Sequence, residues 1–113
     1  MAIADSLLNI GANAMAAAVT YVALVDAGGA EPTGGGYSRQ PVAWTAAAAG
    51  RTPLAGDETF SIPAGFTVAG WRGFTAASGG TNHGGADLPA EPFPNGGEYV
   101  LLAVNTAIDL NPA

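Results

Sequence analysis

Thr33–Trp44, TGGGYSRQPVAW, joins one strand-like segment, Thr20–Val25 (TYVALV), to a second that is expected to begin near Val42. The first segment is rich in β-branched and aromatic residues, as strands are. The three glycines allow backbone conformations closed to other residues. Tyr-Ser-Arg-Gln then leads into Pro41, which suits a strand start or an edge position. No helix fits between these segments, so the chain turns back on itself as an antiparallel β-structure.

Upstream, residues 2–18 read as one helix. Ile3, Leu7, Leu8 and Ile10 recur near helical spacing, and Ala14, Ala17 and Ala18 extend the pattern. Asp5 in its first turn suits the helix dipole, while Gly11 weakens its middle by roughly 1 kcal/mol relative to alanine. Downstream, the expected strands are Val42–Ala46, Glu58–Ile62, Phe66–Phe74 and Tyr99–Val104, with Ala107–Leu110 as a continuation. Glu58–Ile62 alternates cleanly, and Pro63-Ala64-Gly65 is a turn. In Phe66–Phe74, Phe66, Val68, Gly70 and Arg72 share one side by simple alternation. Its two glycines, Gly70 and Gly73, signal a bulge or a close backbone approach. Residues 26–36 and 47–56 read as loops, 76–85 as a loop or tight hairpin, and 88–97 as an extended stretch broken by Pro89, Pro92 and Pro94.

The expected fold is therefore mainly β: an N-terminal helix followed by a small antiparallel β-sandwich or open barrel. Two units are expected, 1–18 as a helix or assembly arm and 19–113 as a single sandwich-like domain. Large core candidates are few: Leu7, Leu8, Val22, Leu24, Val42, Trp44, Phe60, Ile62, Val68, Trp71, Phe74, Tyr99, Leu101 and Val104. So small a core suggests stability borrowed from neighbouring subunits, as in a homo-oligomer.

Composition narrows the function. With 9 acidic and 3 basic residues (Arg39, Arg51 and Arg72) the net charge is −6. Such a chain lacks the basic stripe that nucleic acid or an anionic membrane surface requires. It has no cysteine, which excludes disulfides and thiolate chemistry. No apolar run is long enough for a transmembrane helix, and residues 1–18 lack the positive start of a signal peptide. His83 is the sole histidine, in a turn-like stretch where it fills a turn or touches a neighbour. A catalytic reading would pair it with Asp87, or with Asp57 or Glu58 across space, but neither a nucleophile elbow nor a metal-ligand spacing accompanies it. The glycine clusters precede no helix with Lys-Ser/Thr and are not phosphate loops. No enzymatic activity, cofactor or metal is expected.

Arg39 is the residue expected to matter most for structure or assembly. Flanked by Tyr37 and Gln40, it suits a fork-like pair with a carboxylate, within the fold or across an interface. Trp71 and Arg72 form a second such candidate, with Trp71 favoured as core.

A resemblance runs along the same residues. Leu7-Leu8-Asn9 in the helix, Thr20–Leu24, Glu31, Tyr37-Ser38-Arg39-Gln40, Phe60–Gly65, Gly73-Phe74, Ser78–Thr81 and Gly84–Ala86 together resemble a family of small tailed-bacteriophage virion proteins. The resemblance implies a β-sandwich subunit without catalytic residues. It would be made in the host cytoplasm and built into the virion, on the capsid surface or the tail. Its implied partners are other virion proteins, the major capsid protein or tail proteins. A capsid-decorating role is the first expectation. The alternative is a minor tail or tail-fibre-associated protein with host-surface glycan binding, in which Tyr37, Trp44 or Trp71 would lie exposed over a groove.

Overall fold

The computed structural model describes residues 5–103 and 106–109. Among these residues lie one helix, α1 (Asp5–Ala18), and eight strands: β1 (Tyr21–Val25), β2 (Gln40–Pro41), β3 (Arg51–Pro53), β4 (Glu58–Ile62), β5 (Phe66–Phe74), β6 (Asn82–Phe93), β7 (Gly97–Leu101) and β8 (Ala107–Asp109). Every pairing is antiparallel. The fold is thus mainly β with one N-terminal helix. The largest sheet has the order β2-β1-β5-β6, and two smaller ones pair β3 with β8 and β4 with β7.

β1 pairs with β5 along its whole length, from Tyr21 opposite Phe74 to Val25 opposite Gly70. Directly opposed residues share a face. Val22 and Leu24 therefore face the main core with Trp71. Tyr21, Ala23 and Val25 face the other side with Phe74, Arg72 and Gly70. The core gathers Val22, Leu24, Leu54, Phe60, Ile62, Val68, Trp71 and Leu101, so β4 and β7 close over the same apolar interior.

Simple alternation fails along β5. Val68 and Trp71, three residues apart, enter the same core. The register against β6 shifts between Val68 and Gly70, and again between Arg72 and Phe74. The glycine signal in this strand therefore holds, and the expected faces do not. Gly73 lies under Val19, where a Cβ would come within 2.6 Å of Cγ1, so the helix-to-β1 junction sits directly on the sheet.

Several expected elements change. Val42–Ala46 is not a strand. The strand is Gln40–Pro41, and residues 42–46 run irregularly beside 53–55, with Trp44 bridged to Leu54. The 47–56 loop contains β3, whose partner β8 lies more than fifty residues further along. Ala107–Asp109 does not continue β7 but belongs to that separate pair; Leu110 lies outside the described residues. β6 runs unbroken through Pro89 and Pro92, and it incorporates His83, expected in a turn. As an edge strand it does not need those amide hydrogens. The opposite edge, β2, carries Pro41, so proline blunts both edges of this sheet. β7 ends at Leu101, and Val104, expected in that strand and in the core, lies outside the described residues. Leu7, another core candidate, is 58% exposed.

Thr52, central in β3, is fully buried, and among the described residues its hydroxyl has no hydrogen-bond partner. A buried unsatisfied hydroxyl costs free energy that an apolar isostere does not. Thr52→Val is expected to stabilise the chain by about 0.5–1 kcal/mol, read as a higher urea midpoint. An unchanged or lower midpoint would count against this account.

Candidate functional site

Two features stand out: an ion-paired knot behind the glycine loop, and an apolar outer surface along α1.

The knot starts at the edge of β1. β2 supplies only two residues, so beyond Val22 that edge has no strand partner. The Tyr37 hydroxyl fills the gap by accepting the Leu24 N–H at 3.1 Å, and it donates to Glu31 Oε2 at 3.0 Å. The Tyr37 ring stacks on Phe60 of the core, centroids 6.3 Å apart. Burial pushes the Tyr37 phenol well above its usual range, so it remains a neutral donor.

Arg39 supplies the fork. Its Nε reaches both Glu31 oxygens at 3.1 and 3.2 Å, and Nη2 reaches Oε1 at 2.7 Å. Nη1 donates to the carbonyls of Ala76 and Gly79 at 3.0 and 2.8 Å. The guanidinium lies over the Phe74 ring, 3.6 Å from its centroid. The hydrogen-bonded Glu31 carboxylate raises the Arg39 pKa further above its ordinary value. The Arg39 side chain is only 10% exposed and that of Glu31 25%, so the pair is shielded from solvent. One cation thereby ties the loop after β1, the sheet and the 75–81 hairpin together. The Asp26 carboxylate fixes the start of the loop by accepting the N–H groups of Gly28 and Ala30.

The carboxylate foreseen for Arg39 thus lies within the chain and is Glu31. The Gln40 side chain bonds locally, to Ser38. Trp71 is 5% exposed, in the core, tilted against Trp44 at 6.4 Å. Arg72 donates to the carbonyls of Trp71 and Ala86 beside the β5–β6 irregularity. Its contact with exposed Asp87, at 3.7 Å, is a weak surface pair.

His83 and its candidate carboxylates Asp57 and Asp87 are engaged elsewhere or open to solvent, while Glu58 lies half-buried on β4. Asp57 accepts the Ala103 N–H, Asp87 faces Arg72, and His83 is exposed on β6. Among the described residues no group of three or more His, Asp or Glu side chains is placed to hold a metal ion.

α1 docks through polar side chains. Asn9 Oδ1 accepts the Gly50 N–H at 2.8 Å and Asn13 Oδ1 the Ala47 N–H at 2.9 Å. Between these two asparagines, Ala12 is fully buried. The opposite face turns outward: Leu7 is 58% exposed, Ile10 66% and Met15 47%. Beside its C-terminal half lies a cavity of about 600 Å³, lined by Ala14, Met15 and Ala18 of α1 with Trp71, His83 and Ile108 among the rest. Leu7 is expected in the core because periodicity records only apolar residues, whichever face of the helix they occupy. The four-residue spacing of Asn9 and Asn13 was the available signal for the docked face.

Comparison with known proteins finds no matching family model, no similar curated protein and no similar solved structure.

Replacing Arg39 by lysine keeps the charge and loses the fork. Arg39→Lys is expected to cost about 1.5–3 kcal/mol, the range for lost hydrogen bonds to a charged group, and Tyr37→Phe about 1–2 kcal/mol by leaving the Leu24 N–H without its acceptor. Urea denaturation checks both; a wild-type midpoint for Arg39→Lys would show that the fork is dispensable.

Glu58, in β4, has its carboxyl raised above the ordinary value by burial. The folded chain therefore favours the protonated form. Its ionisation costs stability as pH rises from the unfolded value through the folded one. Glu58→Gln should raise Tm at pH 7 by on the order of 2 °C and leave it unchanged at pH 3. An equal effect at both pH values would point away from ionisation.

Proposed function

We propose that this chain is a non-enzymatic structural subunit of a tailed-bacteriophage particle, stabilising the capsid surface through repeated contacts with neighbouring virion proteins. The observation that carries the reading is the reversal of α1. A helix that exists to complete its own core turns its apolar residues inward. This one is tied to the 47–50 turn by Asn9 and Asn13 and presents Leu7, Ile10 and Met15 outward. Exposed apolar surface of this kind marks a contact with another macromolecule.

The rest of the chain supports the same role. The segment in which the phage resemblance is sharpest, Tyr37-Ser38-Arg39-Gln40, is also the segment whose side chains tie the glycine loop to the sheet. A subunit used for repeated contacts needs loops held in one conformation, so that contacts are not weakened by ordering costs. We read the four-stranded sheet and the β4–β7 pair, which share one core, as the two layers of a sandwich-like domain, with α1 as the contact element. The glycan-binding variant has less support. Tyr37 is stacked on Phe60, Trp71 is buried, and the Trp44 indole N–H is committed to the Val19 carbonyl at 2.9 Å.

Mass spectrometry of gradient-purified particles from the strain encoding this chain, followed by cryo-electron microscopy, tests the reading. The expected result is a fixed ratio to the major capsid protein and density repeating on the head. Density confined to the tail would move the subunit there. Absence from all particles would refute the reading.

A further inference from the structure

The two tryptophans lie tilted against one another, but they use their indole N–H groups differently. Trp44 donates to the Val19 carbonyl at 2.9 Å. Trp71 is 5% exposed, and its N–H has no acceptor among the described residues. A buried indole N–H ordinarily finds a hydrogen-bond partner. This one is not sealed from solvent: among the described residues, the Thr52 hydroxyl is the side-chain group that is both sealed and without a partner. The opening on which Trp71 lies is the cavity beside the C-terminal half of α1. The Trp71 ring thus belongs to the core, and its polar edge to the cavity.

We infer that this cavity binds a small uncharged organic molecule with an apolar body and a hydrogen-bond acceptor, the acceptor taking the Trp71 indole N–H. Its volume of about 600 Å³ falls within the range of roughly 300–1,000 Å³ typical of small-molecule sites. Such sites combine apolar walls with a few polar groups that fix orientation. Here Met15, Val19 and Ile108 supply apolar wall, and Ala14 and Ala18 keep the helix side open because they carry no bulk. Met15 is 47% exposed, and its flexible thioether adapts to the shape of what enters. The indole N–H supplies the directional contact.

The lining also sets the charge of the ligand. Among the described residues it includes no carboxylate, lysine or arginine. A charged group would lose hydration there without gaining a counterion. His83 supplies the other polar side chain of the lining. One indole and one imidazole leave most hydroxyls of a sugar without partners, so this site differs from the glycan groove considered above. The inference stands on the chain alone. It is decided by ligand binding in solution, whereas the virion reading is decided by particle composition, so either can fail without the other.

With two tryptophans in the chain, a nitrogen–proton correlation spectrum holds two indole signals, and Trp44→Phe assigns the one that remains to Trp71. Camphor, a rigid apolar body with one ketone, is the probe. It should shift the Trp71 indole signal saturably, and more than the Trp44 signal, with a nuclear Overhauser contact from its methyl groups to the Trp71 N–H. Camphorsulfonate, which adds an anionic group to the same body, should bind at least tenfold more weakly. Ala14→Phe places a ring in the cavity from an exposed position on α1. That variant should lose the camphor shift and keep its helical circular dichroism. A Trp71 signal unmoved by camphor up to its solubility, a camphor response that survives Ala14→Phe, or equal binding of camphorsulfonate would overturn the proposal.

Discussion

The fork between Arg39 and Glu31 is the constraint on which the fold turns. Without it the glycine loop, the 75–81 hairpin and the upper part of β1 have no common anchor. The guanidinium satisfies a carboxylate and two backbone carbonyls while resting on the Phe74 ring. A cation so shielded is tolerated only because each of these partners is in place. Tyr37 extends the knot into the core, joining Glu31 to the Leu24 amide and stacking on Phe60. The glycines before it give the backbone the room it needs. Gly35, at φ +63°, lies so close to Pro63 that a Cβ would fall 2.7 Å from its Cα.

This internal economy changes the meaning of the residues singled out in the sequence. Arg39, Tyr37 and Trp71 have the chemistry of interface anchors, yet all three are spent on the chain itself. The exposed apolar surface comes instead from α1, including Leu7, which was expected in the core. Leu7 and Ile10 look outward because Asn9 and Asn13 already hold the helix to the 47–50 turn. Hydrogen bonding to backbone amides joins the burial of Ala12 on the inner face, and Leu7 and Ile10 are left exposed on the outer one.

Much of this was legible in the residues. Helix α1, strands β1, β4 and β5, the bulge signalled by Gly70 and Gly73, and a forked partner for Arg39 follow from propensity, alternation and guanidinium geometry. The rest depended on contacts that sequence spacing does not encode. β3 is three residues long and exists because β8 arrives to pair with it. β6 contains His-Gly-Gly-Ala-Asp and two prolines, a composition with little strand preference; it forms because β5 offers a long, twice-shifted ladder and the outer edge makes no demand on proline. The strand expected at Val42 moved back to Gln40–Pro41 because Tyr21 and Val22 are its partners. Faces along β5 were misassigned because a register shift changes parity, which alternation alone does not register.

Native-state hydrogen exchange tests the central claim most directly. If the Arg39 knot welds the loop and hairpin to the sheet, the Leu24 and Tyr37 amides and the Thr81 amide should open with the β1–β5 core, at one common free energy. Arg39→Ala should then release the loop and hairpin amides while the central β1–β5 amides stay protected. Fast exchange of Tyr37 and Thr81 in the unmodified chain, with the core protected, would contradict the account.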